Sequence, residues 1–170
     1  MKHQKSFYII IAFLLFLAQC KKPPQFPIEP QIKFIDFTTF DTSLSTPEYL
    51  IYKKGVLHFS FTDGDADLGI DIDTLTDSTY HNLFINYYEI QNGDTVKIEF
   101  ENGMTYNSII PNLTPENPTG NGIEGEISDT LIIFTGSPFD TIMYEAWIVD
   151  RAGHTSNTIT TPLIVRKIRK

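Results

Sequence analysis

Leu83-Phe84-Ile85-Asn86-Tyr87-Tyr88-Glu89-Ile90, then Gln91-Asn92-Gly93-Asp94, then Thr95-Val96-Lys97-Ile98-Glu99-Phe100-Glu101 is the stretch whose reading decides the fold. Two runs rich in β-branched and aromatic residues flank an Asn-Gly pair. A two-residue hairpin turn of type I′ needs positive φ at both central positions, which Asn and Gly tolerate better than other residues. In the second run Val96, Ile98 and Phe100 alternate with Lys97, Glu99 and Glu101, the period of a strand with one face in water. The same period sends Tyr87 and Tyr88 to opposite faces. The spacing predicts an antiparallel hairpin.

Working outward, residues 56–62 repeat the pattern, with Leu57, Phe59 and Phe61 alternating against His58, Ser60 and Thr62. In residues 32–37, Ile32, Phe34 and Asp36 fall on one side, while Ile35 and Phe37 occupy shifted positions. Residues 123–134 read as a strand or a pair of strands, with Glu124 and Glu126 facing water opposite Ile123 and Ile127. Residues 142–149 follow a Ser137-Pro138 turn, and residues 158–165 close the fold. Residues 111–122, rich in Pro, Gly and Asn, read as a loop. No window sustains a helical period and no internal repeat is visible. Seven to eight short strands separated by turns predict an all-β fold, a single immunoglobulin-like antiparallel β-sandwich over residues 31–170. Phe59, Phe61 and Trp147 are expected in the core between the two sheets.

Composition agrees with this reading. The chain has 13 Phe and 8 Tyr, residues that favour pleated, half-buried surfaces. Its net charge is −8. Removal of residues 1–19, which carry Lys2 and Lys5 and no acidic residue, makes it more negative. An acidic domain is repelled by phosphate backbones, so nucleic acid is not an expected partner. Acidity suits divalent cations.

The N-terminus carries a different signal. Lys2 and Lys5 precede the apolar run Phe7-Tyr8-Ile9-Ile10-Ile11-Ala12-Phe13-Leu14-Leu15-Phe16-Leu17-Ala18. That run is far shorter than the roughly 20 residues of a membrane-spanning helix and has the length of a signal-peptide core. Leu17-Ala18-Gln19-Cys20 resembles a bacterial lipobox, although Gln19 stands where a small residue is usual. Cys20 is the only cysteine. An exported domain with one cysteine forms no internal disulfide, and lipidation explains the thiol. Residues 1–19 therefore read as a lipoprotein signal peptide, and residues 20–30 as the lipidated Cys20 and a Pro-rich tether. In extended form the tether spans about 30 Å. The expected location is the cell envelope, anchored by lipid in the outer membrane and facing either the periplasm or the surface. Lys21 is not the Asp associated with inner-membrane retention.

Trp147-Ile148-Val149-Asp150-Arg151-Ala152-Gly153-His154-Thr155-Ser156-Asn157 resembles the penultimate-strand signature of bacterial immunoglobulin-like domains, with His154 where Asn is commoner. Together with residues 59–69, Asn82-Leu83-Phe84-Ile85 and Ile123-Glu124-Gly125-Glu126, it makes most of residues 56–162 similar to a family of uncharacterised Bacteroidota lipoproteins with an immunoglobulin-like or cadherin-like domain. The resemblance implies fold and location and carries no activity.

Asp63-Gly64-Asp65-Ala66-Asp67-Leu68-Gly69-Ile70-Asp71-Ile72-Asp73 concentrates five carboxylates. Hard cations such as calcium take several oxygens, and alternating Asp supplies them on one side of a tight loop. The loop is not an EF-hand: Leu68 replaces the glycine, Thr74 the final glutamate, and a strand precedes it. The other reading is a turn in which Asp side chains cap their own backbone. In an immunoglobulin-like sandwich, the loop after the second strand and the loop after the penultimate strand share one end, where the chain also enters near Glu29. By analogy with cadherin-type domains, Asp150 joins Asp63, Asp65, Asp67, Asp71 and Asp73 as a candidate calcium ligand. Arg151 is the alternative neutralising partner.

Catalytic signatures are missing: no G-x-S-x-G, no H-E-x-x-H and no glycine-rich phosphate loop. His58, His81 and His154 are scattered. Glu99/Glu101 and Glu124/Glu126 lie on solvated strand faces, and the glycosidase reading needs them in a cleft. Five Asp-Ser/Thr tripeptides resemble an O-glycosylation sequon of Bacteroidota envelope proteins, at Thr74, Ser78, Thr95, Thr130 and Thr141. The expected function is a lipid-anchored envelope lipoprotein with a structural or protein/glycan-binding role and no catalytic activity. The alternatives are a calcium-dependent accessory ligand-binding or adhesion module, then a glycan-acting hydrolase.

Overall fold

The computed structural model describes residues 25–42, 52–77, 79–101, 103–114, 122–133 and 137–166. Among the described residues eight strands follow one another: β1 (Gln31–Thr42), β2 (Tyr52–Asp63), β3 (Leu83–Gln91), β4 (Asp94–Lys97), β5 (Ile123–Ile133), β6 (Thr141–Ile148), β7 (Ile159–Thr160) and β8 (Ile164–Val165). A 3₁₀ turn, Ile72–Thr74, lies between β2 and β3. One sheet has the order β1-β2-β5. The other has the order β4-β3-β6, with β7 and β8 both paired along the far edge of β6. Every strand pairing is antiparallel. The chain passes between sheets after β2 and after β4, and returns after β5, which is the immunoglobulin-like arrangement.

The hairpin forms where the Asn-Gly pair predicts it. Gln91 pairs with Asp94, and Asn92 and Gly93 adopt φ of 54° and 97°. The ladder outlasts β4 by one bond, from Ile98 N–H to Tyr87 O at 2.9 Å. β3 buries Leu83, Ile85, Tyr87 and Glu89. β2 turns Leu57, Phe59 and Phe61 inward, and β5 adds Ile123, Leu131 and Ile133. Burying a side chain of this size stabilises the fold by about 1.5–3 kcal/mol before entropy is counted.

The irregular pattern of residues 32–37 has a physical cause. Phe34 pairs with Phe59 and Asp36 with His58, leaving Ile35 as the extra residue of a β-bulge. Ile35 points to solvent, and Phe37 returns to the interior to stack on Tyr144 with centroids 5.4 Å apart. The Phe37 ring fills the space where Gly55 lacks a side chain. The stretch 158–165 is two short strands, not one, because Thr161-Pro162-Leu163 interrupts it and Pro162 has no N–H to give the ladder.

Trp147 is a correction to the sequence reading. The inward phase of β6 is Ile142, Tyr144, Ala146 and Ile148, all nearly inaccessible. Trp147 therefore lies on the outward face, beside its register partner Phe84. A one-residue slip that brought Trp147 inside would expose that whole row.

Glu89 and Arg166 form a buried pair that closes the C-terminal side. Their relative exposures are 2% and 1%, and Arg166 Nη2 lies 2.8 Å from Glu89 Oε1. Arg166 also donates to Tyr87 Oη (2.9 Å) and, through Nε, to the Phe139 carbonyl (2.9 Å). Glu89 further accepts from Tyr87, Gln91 and Ser137. Burial alone would raise the Glu89 pKa. The donors Ser137, Tyr87 and Gln91 and the charge of Arg166 outweigh that and hold it below the usual range.

Candidate metal centre

The inward row of β2 runs Leu57, Phe59, Phe61, Asp63, so its last residue is a carboxylate with 0% exposure at the end of the core. The inward row of β6 runs Ile142, Tyr144, Ala146, Ile148, and its next position is Asp150, at 3%. The two strands belong to different sheets, so their extensions meet at one end of the sandwich. Between them the loop after β2 turns through Ala66 and Gly69, at φ of 61° and 89°, and brings Asp65 and Asp67 to the same place. One carboxylate oxygen from each of Asp63, Asp65, Asp67 and Asp150 lies within 4.8 Å of the others. Four Asp residues are thus close enough to hold one metal ion.

Hydrogen bonds fix the group from its outer side. Asp63 Oδ2 accepts from Leu68 N–H at 2.8 Å, and Asp67 Oδ2 accepts from Ala152 N–H at 3.0 Å. Both Asp150 oxygens face His154, one accepting from its backbone N–H at 2.8 Å and the other lying 2.9 Å from its Nδ1. Asp63 Oδ1 and Asp67 Oδ1 are buried with no hydrogen-bond partner. Buried carboxylate oxygens cost free energy unless a donor or cation meets them, and here their neighbours are other carboxylates. Burial first, then Asp65 and Asp67, pushes the Asp63 carboxyl up to about 6. Burial, then the charges of Asp150 and Asp65, raises Asp67. The His154 imidazole is raised by its hydrogen bond to Asp150.

Arg151 does not neutralise the cluster through an ion pair. Its guanidinium donates to Gly69 O (3.2 Å), Asn112 Oδ1 (3.0 Å) and Thr114 Oγ1 (2.9 Å), tying the loop after β2 to residues 112–114. Its charge still acts on Asp67, in the lowering direction. The N-terminal entry packs at the same end. Gly64 lies against the carbonyls of Phe26 and Pro27, where no side chain would fit, and Asn157 exchanges hydrogen bonds with Ile32 N–H (2.8 Å) and O (2.9 Å).

Asp71 and Asp73 are not brought into the group. Both are exposed at the 3₁₀ turn, where Asp71 caps the turn by accepting from Asp73 N–H at 3.2 Å. The acidic stretch divides: Asp63, Asp65 and Asp67 converge with Asp150, whereas Asp71 and Asp73 belong to an Asx-capped turn at 71–74. Of the glycosylation candidates, Thr74, Thr95 and Thr130 are exposed and Thr141 is half-buried. Ser78 and Cys20 lie outside the described residues. His58 sits on the outer face of its sheet between Asp36 (3.5 Å) and Glu126 (3.1 Å).

The donor set is all oxygen, which selects hard cations over metals that prefer nitrogen or sulfur. The role of His154 as the clamp on Asp150 is absent from the sequence reading. Its signal was the four-residue spacing across a Gly-containing turn, in which Gly153 has φ of 92°. Comparison of the chain with family models, curated proteins and solved structures finds no match.

Proposed function

We propose that the protein is a lipid-anchored module of a bacterial cell envelope, with a structural or protein/glycan-binding role and no catalytic role, whose loop end binds calcium. The observation that carries the calcium reading is the pair of buried oxygens, Asp63 Oδ1 and Asp67 Oδ1, that face other carboxylates and no donor. A cation supplies what they lack. Calcium is favoured over magnesium because it accepts six to eight oxygens in flexible geometry, whereas magnesium demands a near-ideal octahedron and keeps its waters. A calcium shell is about 5 Å across from oxygen to oxygen, and the four Asp oxygens lie within 4.8 Å of one another. Asp63, Asp65, Asp67 and Asp150 are the ligands, and solvent reaches the ion on the side of the exposed Asp65. The expected affinity is that of extracellular modules, about 10⁻⁴–10⁻³ M.

The anchor reading rests on the residues leading to Cys20. A lipidated Cys20 followed by the Pro-rich tether holds the domain near the membrane. The experiment that tests the calcium reading is thermal melting in millimolar calcium and in chelator. Calcium should raise the melting temperature of the wild type by mass action and leave Asp65→Asn little changed. A shift that persists in full in Asp65→Asn assigns the ion elsewhere on this acidic surface.

A further inference from the structure

The chain enters the domain beside the metal centre. From Pro30 onward it is pinned: Pro30 is buried, Gln31 pairs with Thr62, and the Asn157 side chain bonds both the N–H and the carbonyl of Ile32. Before Pro30 it runs along the surface as a short strap, residues 25–29, in which Ile28 is 51% exposed and Glu29 is exposed as well. The strap meets the domain at Gly64. The carbonyls of Phe26 and Pro27 lie against this glycine, nearer than any side chain there would allow. Gly122, at φ of 73°, packs closely on the same backbone, against the Asp63 carbonyl and Gly64.

Gly64 is also the residue between two of the metal ligands. Asp63, Asp67 and Asp150 are each fixed by a backbone N–H, from Leu68, Ala152 and His154 respectively. Asp65 is the exposed member of the group, and its charge lies beside those of the other three, which repel it. A cation turns that repulsion into attraction and draws the Asp65 carboxylate to the point where the others converge. The peptide unit between Asp63 and Asp65 is then fixed at both ends, and with it the surface of Gly64 on which the strap rests.

We propose that occupancy of the metal centre seats the strap on Gly64, so that calcium sets how the domain is held on its anchor. Without the ion, Asp65 turns to water, Gly64 moves with it and the strap loses its seat. Phe26 is six residues from Cys20, a reach of at most about 22 Å when fully extended. A seated strap therefore keeps the metal end of the sandwich close to the membrane, and a free one lets the domain swing away. This coupling rests on the calcium and anchor readings above and adds to them a regulated joint. It is reciprocal: an ion that favours the seated strap is bound more tightly when the strap is seated.

A nitroxide spin label on Ile28→Cys reads the strap directly. The same label on Leu163→Cys, 60% exposed next to β8 at the opposite end of the sandwich, is the control. The full-length protein in detergent is measured in millimolar calcium and in chelator, and again with Cys20→Ala added so that no signal comes from Cys20. Spectra at position 28 should be broad in calcium and narrow in chelator, with position 163 unchanged. Gly64→Ala keeps all four carboxylates and lies outside the left-handed region of φ, so it blocks the seat without backbone strain. It should leave the label mobile in calcium and weaken calcium binding by about fivefold or more in isothermal titration. The comparison at position 28 uses the native Gly64 and decides the matter even if Gly64→Ala does not fold. Saturable calcium binding with the same spectrum at position 28 in calcium and chelator overturns the coupling and leaves the calcium reading standing. Equal changes at positions 28 and 163 do the same, as a general effect on stability. A folded Gly64→Ala with native calcium affinity and an immobilised label also overturns it, and no saturable calcium binding at all sinks both.

Discussion

The carboxylates of Asp63 and Asp150 meet within 4.8 Å at one end of the sandwich, each one inward step beyond the last buried apolar residue of its strand, Phe61 and Ile148. A position that the alternation of β2 or β6 would fill with a hydrophobic side chain is filled by a charge instead. Each such pair at about 4 Å repels by up to about 4 kcal/mol at an effective dielectric of 20. Something of opposite charge, or a proton, relieves it.

A proton does so at low pH when no cation is present. The Asp63 carboxyl is raised to about 6 in the folded chain from an ordinary value of 3.8. The folded state therefore binds more protons than the unfolded chain between those values. Its contribution is complete below the unfolded value and is lost as pH rises through about 6. Urea midpoints in chelator should fall over that window for the wild type and stay flatter for Asp63→Asn. A parallel profile for the two proteins would contradict the burial of this carboxyl.

The Glu89–Arg166 pair has the opposite sign. Glu89 is held below its ordinary range, so its stabilisation is complete above the unfolded value and is lost as pH falls through the lower folded value. Glu89→Ala leaves a buried guanidinium without its anion and should cost about 3–5 kcal/mol. A urea midpoint within error of wild type at neutral pH would refute the pairing.

Strand phase is tested by two aromatic substitutions. Phe61 is 6% exposed between the sheets, and Phe61→Ala should cost about 3–5 kcal/mol as a large-to-small core change. Trp147 lies outside against Phe84, and its replacement by Ala removes a cross-strand pair worth about 0.2–1 kcal/mol, with some outer-face packing. Equal losses in the two variants would put Trp147 in the core after all.

These cases mark what was legible in the sequence. Asn92-Gly93 and the alternation at Val96, Ile98 and Phe100 encode the hairpin locally, so it could be read directly. The bulge at Ile35 was visible as a break in phase. Trp147 misled because the inward row of β6 includes the small Ala146, a weak hydrophobic signal beside a large ring. Glu145, in the same phase as Trp147, was the better guide. Glu89 was not read as buried, because alternation in residues 83–90 separates two faces without saying which is inside, and its partner Arg166 follows β8, which pairs with β6 far from Glu89 in sequence. Within the acidic stretch, Gly69 at φ 89° separates Asp63, Asp65 and Asp67 from Asp71 and Asp73. Local spacing alone could not show which carboxylates would converge.

Lipidation makes its own prediction. Metabolic labelling with a fatty-acid analogue should tag the wild type and miss Cys20→Ala. Equal labelling of both would remove the anchor from the account.

The central claim is that the orphaned oxygens of Asp63 and Asp67 are the inner side of a calcium site completed by Asp65 and Asp150. Isothermal titration of the chelator-treated protein with calcium at neutral pH tests it most directly. One saturable site is expected, with a dissociation constant of about 10⁻⁴–10⁻³ M, absent in Asp63→Asn and in Asp150→Asn, each checked to be folded. No saturable heat in the wild type, or the same site retained in both variants, would contradict it.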